Sequence, residues 1–135
     1  MAYWLLKSEP GDYSYSDLQR DGRATWNGVR NALALKHMRR VSEGDLALLY
    51  HTGSERAIVG IVKIESDPYP DPQADDESIV VFDVSPKEEL AHPVSLSRVK
   101  ESGKFDDWEL VRLPRLSVMP VSDSTWSAIL SLSRS

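Results

Sequence analysis

Trp26-Asn27-Gly28-Val29-Arg30-Asn31 sets a flat aromatic, a glycine, a guanidinium and two amides side by side. An indole stacks on another planar ring, a contact worth roughly 1–3 kcal/mol when that ring is a nucleic-acid base. An amide carries a donor and an acceptor together, so it can read the polar edge of the stacked ring. The segment leads toward an expected helix, whose first backbone N–H groups would face the same space. Lys7-Ser8-Glu9-Pro10 and Tyr50-His51 are two further candidate clusters. Lys7 offers a charge and Ser8 a hydroxyl. His51 offers a ring nitrogen for a ligand hydrogen bond or for general-base work. Arg115, with Arg112 and Ser117 nearby, either pairs with a carboxylate such as Glu9 or touches a ligand.

Each residue also has a plainer use. Trp26 and Tyr50 supply core area. Gly28 answers a positive φ or a close approach of the backbone. Asn27 and Asn31 suit a turn and a helix cap, and Arg30 suits a surface ion pair of little energy. His51 at a strand end suits a structural hydrogen bond, and Glu9-Pro10 suits a turn. Enzyme chemistry finds little support. There is no glycine-rich phosphate loop and no nucleophile elbow. A hydrolytic pair of Ser8 or Ser117 with His51 would require spatial adjacency. His37, His51 and His92 are far apart and cysteine is absent, so neither a metal site nor a cofactor is expected. The residues read as a non-catalytic binding module first and an enzyme second.

The 135 residues, 41% of them hydrophobic, fit a single domain over 1–135. No apolar run approaches the roughly 20 residues of a membrane span. The apolar start lacks a basic region and a cleavage site, so no signal peptide is expected. The lack of cysteine fits a cytoplasmic protein. A net charge of −5 argues against a strongly basic, non-specific nucleic-acid binder. The charge is uneven, however. Arg20, Arg23, Arg30, Lys36, Arg39 and Arg40 face only Asp21 within their stretch, while acids gather in the second half. That basic stretch is either a solvated helix face or a surface for phosphates.

The elements follow from periodicity and punctuation. Tyr3 to Lys7 reads as a buried strand. Ser16-Asp17-Leu18-Gln19 reads as a capping box with Ser16 as N-cap, and Asp21-Gly22 ends that short helix. Asn31 to Val41 is the best helix, with Asn31 as N-cap and Ala34, Leu35, Met38 and Val41 as its apolar stripe. Leu46 to Tyr50 and Ala57 to Ile64 are strands, and Gly60 allows a bulge or close packing. Three prolines between Asp67 and Pro72 exclude a central strand. Ile79 to Val84 is a strand, Val94 to Glu101 a short helix, Leu116 to Val121 the last strand and Ser122 to Leu132 a closing helix. About five strands among short helices give an α+β chain, a small mixed β-barrel with a site for one ligand at its mouth.

Several pieces in this order resemble the EVE domain family. They are Trp4-Leu5-Leu6-Lys7-Ser8-Glu9-Pro10, Tyr15-Ser16, the Trp26–Asn31 segment, Gly44-Asp45, Tyr50-His51, Tyr69-Pro70-Asp71-Pro72, Leu110-Val111-Arg112 and Arg115-Leu116-Ser117-Val118. The resemblance runs from Tyr3 to about Ile129. It implies a PUA-like fold of five or six strands flanked by short helices, related to YTH domains. It implies a reader that holds a modified base of DNA or RNA, modified cytosine foremost, in an aromatic pocket. Carried over, Trp26 would stack on an extruded base and Val29 would wall it. Asn31, Ser8 and backbone groups would read its edge, and Lys7, Arg30 and His51 would meet the base or its phosphates. Asn27 stands where many members carry an acid, so a carboxylate acceptor is replaced by an amide. Extrusion costs least in single strands. A free nucleoside bound as a small-molecule signal, a protein partner, and a base-modifying enzyme using His51 are the rival implications.

Overall fold

Leu5 and Leu6 in β1 (Tyr3–Ser8) have no exposed surface because the strand is hydrogen-bonded on both edges and covered on both faces. The computed structural model describes residues 1–134. In chain order β1 is followed by α1 (Tyr15–Asp21), β2 (Ala24–Trp26), α2 (Ala32–Met38), β3 (Leu46–His51), β4 (Ala57–Ile64) and β5 (Tyr69–Pro70). Then come β6 (Val80–Ser95), α3 (Leu96–Glu101), α4 (Glu109–Arg112), β7 (Val118–Val121) and α5 (Asp123–Arg134). The strands run β2-β6-β4-β3-β1-β7 across one mixed sheet, with β5 paired to β6. β1 and β3 are parallel, and the other neighbours are antiparallel. The α+β architecture agrees with expectation. The sheet curls as a half-barrel whose path ends at β2 and β7.

Helix starts repay attention because they orient the loops of the site. α1 is capped by Ser14, not by Ser16. The Ser14 hydroxyl accepts from the Asp17 amide, and the Asp17 carboxylate accepts from the Ser14 amide. This register turns Tyr15 and Leu18 inward, at 2% and 0% exposure, and burial decides between the two serines. Gly22, at φ +75, ends the helix as expected. α2 begins after Asn31, whose side-chain oxygen accepts from the Ala34 amide at 3.0 Å.

β6 is longer than periodicity suggests. It continues past Val84 to Ser95 through Pro86-Lys87-Glu88-Glu89, a stretch to which the sequence assigned no element. Lys87, Glu88 and Glu89 are exposed, while Leu90 and Val94 are buried. Register shifts against β4 fall beside the prolines, where the ladder does not call on their missing N–H. The three-residue β2 and the four-residue α4 were not expected either. Gly60 lies under the Tyr15 ring, and a Cβ there would fall 2.4 Å from a ring carbon. Tyr15 also donates its hydroxyl to the Ile61 carbonyl at 2.8 Å. α5 closes the fold by stacking Trp126 on Tyr3, with ring centroids 4.1 Å apart. Among the described residues no helix is long and apolar enough to cross a membrane.

Candidate functional site

The end of β1, the loop into α1, β2 with its exit loop, and Ser117 before β7 enclose a cavity of about 490 Å³. That volume lies within the usual range for small-molecule sites. Lys7 and Ser8 come from β1, and Glu9, Asp12 and Tyr13 from the following loop. Ala24 to Asn31 contribute as one continuous wall. Trp26 is placed by antiparallel pairing with Phe82 and is 8% exposed. It therefore serves the core and the cavity at once. Gly28 has φ +81, and nothing lies within 4 Å of where its Cβ would be. The backbone conformation is what demands glycine there, not crowding.

The polar groups are partly committed. Asn31 spends its oxygen on the α2 cap, which leaves its NH₂ as the group it can offer a ligand. The Ser8 hydroxyl donates to the Tyr13 carbonyl, and its lone pairs remain. Among the described residues Arg30 donates to the Val29 carbonyl, at 3.2 Å. Lys7 is half-buried, and burial lowers its pKa. Its ammonium donates to the Pro114 carbonyl at 2.8 Å and lies 5.5 Å from the Tyr50 ring centroid. The Tyr13 hydroxyl is pushed up to about 12, first by burial and then by its hydrogen bond to Asp21, so it is a neutral phenol at pH 7. Glu9 and Asp12 balance Lys7 and Arg30 around the lining. Such a site favours a neutral, planar ligand with a polar edge.

The EVE domain model matches residues 2–132. The chain belongs to the EVE domain family. Thymocyte nuclear protein 1 of Rattus norvegicus is 30% identical over 96% of this chain and 73% of its own length. A solved Rhodopseudomonas palustris protein superposes with a TM-score of 0.94 at 36% identity, covering 99% of this chain and 94% of that one. A Pseudomonas syringae protein gives 0.90 at 38%, covering 98% and 99%. Human THYN1 protein, solved in complex with 5-methylcytosine-containing DNA, gives 0.91 at 24% identity over 100% and 99% of the two chains. At that identity the likeness carries the fold.

In this EVE domain, Lys7, Ser8, Trp26, Asn27, Gly28, Val29, Arg30 and Asn31 share one cavity, whereas Tyr50, His51 and Arg115 stand outside its lining. Tyr50 is buried beneath Lys7. His51, paired in register with Ser8, accepts the Tyr15 amide proton at Nε2. Its Nδ1 contacts the Glu55 carboxylate at 2.6 Å. With Nε2 as acceptor, Nδ1 carries the proton and neither nitrogen is free for a substrate. Arg115 lines a neighbouring groove, and Glu9 is not its ion-pair partner. The cavity also takes in Asp12, Tyr13 and Thr25, which sequence reasoning did not single out. Nothing in their spacing marked them, because the loop after β1 folds Asp12 and Tyr13 back onto the site and Thr25 arrives on β2.

Proposed function

We propose that this protein is a non-catalytic reader. It holds one modified base of DNA or RNA, modified cytosine foremost, in the cavity beside Trp26. The single observation that carries this is that Trp26, Asn31 and Ser8 line one open cavity large enough to admit a base. The complex of human THYN1 protein with 5-methylcytosine-containing DNA supports the same ligand class. Single-stranded or flexible substrates suit the site, because extrusion is cheapest there. The commitment of both His51 nitrogens speaks against general-base chemistry by that residue.

The test is a titration against short single strands carrying one plain or one modified cytosine, at two salt concentrations. Selective binding of a modified strand, reduced at least tenfold by Trp26→Ala, is the expected result. Equal affinity for plain and modified strands would overturn it. The carboxylates of Glu9 and Asp12 on the lining favour a second reading, in which a free nucleoside is the ligand. Competition by the nucleoside as effective as by the strand would select that reading.

A further inference from the structure

Beside the cavity runs a groove of about 340 Å³ that contains Leu33, Arg112, Leu113 and Arg115. Asn31 lines both spaces, so they are neighbours. Pro114 in the groove is also the residue whose carbonyl takes the Lys7 ammonium. The groove floor is unusual for this protein. Leu33 and Leu113 are 39% and 36% exposed, and besides Met1 they are the large apolar side chains left open among the described residues. No acid lines the groove. Neither arginine has a carboxylate within ion-pair distance among the described residues. Arg112 is anchored through Nε on the Asp107 carbonyl at 2.9 Å, which holds its guanidinium in place.

We propose that this groove seats the nucleotide adjacent to the base held in the cavity. Its base lies on Leu33 and Leu113, and its phosphate meets Arg115 and Arg112. An apolar floor accepts the face of any base, while guanidinium groups take phosphate oxygens in a fork. This occupant uses both features of the groove, and the shared Asn31 puts the groove beside the cavity. The acids of the cavity lining lie on the loop after β1, so the groove gives the strand a path that avoids them. The groove would then supply affinity for a strand without selecting its sequence.

The proposal rests on the base-binding reading, and the experiment separates the two. Binding is measured for 5-methyl-2′-deoxycytidine and for single-stranded trinucleotides with that residue in the centre. Wild type, Trp26→Ala, Arg115→Gln and Leu33→Ala are compared, with thermal midpoints as folding controls. The trinucleotide is expected to bind at least tenfold tighter than the nucleoside. Arg115→Gln and Leu33→Ala should remove most of that gain and leave nucleoside affinity unchanged. Arg115→Gln should also lower the logarithmic salt slope by about 0.7. If both variants keep the full gain, the groove proposal is overturned while the cavity reading stands. If they weaken the nucleoside equally, Arg115 and Leu33 act in the cavity and the proposal again fails. If neither ligand binds wild type, the base-binding reading falls and takes the groove with it.

Discussion

At the scale of single residues, the instructive case is His51. A histidine at the end of an apolar strand near a presumed pocket invites a catalytic reading. Its geometry assigns it a different task. Nε2 caps the Tyr15 amide and Nδ1 meets Glu55, so the ring ties the end of β3 to the start of α1. Removing it orphans a buried N–H, which costs about 1–3 kcal/mol. His51→Ala is therefore expected to lower the urea midpoint by that equivalent and to leave nucleoside affinity in the folded protein within about twofold. A folded, stable His51→Ala protein without affinity would place the ring in the ligand's path and refute the assignment. Trp26 shows the converse. Core anchor and stacking platform are competing uses of an indole in a sequence, yet one side chain is buried in the core and also lines the cavity.

At the scale of elements, long apolar strands were legible and short or polar ones were not. β4 has the expected bounds, since a run of β-branched residues around one glycine favours a strand. β6 past Val84 was illegible because half of it faces solvent and two prolines interrupt it, leaving only pairing with β4 to make it a strand. The Trp26–Asn31 wall was legible as chemistry. β2, which positions it, was not, since three residues carry no period. Gly60 was legible as a bulge or close packing; a register shift falls beside it, and its packing partner emerges only in three dimensions. The Tyr15 ring occupies the place of the absent side chain and holds α1 on β4. Gly60→Ala forces that ring to shift and strains its hydroxyl bond to Ile61. A loss of roughly 1–3 kcal/mol is expected from overpacking. Pairing Gly60→Ala with Tyr15→Ala tests the cause. The double variant should lose less than the sum of the singles, and strict additivity would show that the ring is not the obstacle.

At the scale of the whole molecule, the proposed function requires a protein of net charge −5 to approach a polyanion. What bears on that approach is the arrangement of charge, not its total. Glu9 and Asp12 sit on the loop after β1, Arg30 and Asn31 sit at the start of α2, and Arg112 and Arg115 continue outward from that side. On the proposed function, a strand would be attracted on the side of the arginines and repelled on the side of Glu9 and Asp12. Exposed charges about 8 Å from a phosphate change its energy by roughly 0.5 kcal/mol each in water, and salt near 0.15 M screens much of that. The isosteric pair Glu9→Gln and Asp12→Asn should therefore raise oligonucleotide affinity a few-fold at low salt. At high salt the gain should vanish, and the affinity for an uncharged nucleoside should stay constant throughout. Titrations at 20 and 300 mM salt distinguish this from direct recognition. If the double variant instead weakens the nucleoside at both salts, a carboxylate is accepting a hydrogen bond from the base. The acids would then be readers of the ligand rather than a guide for the strand.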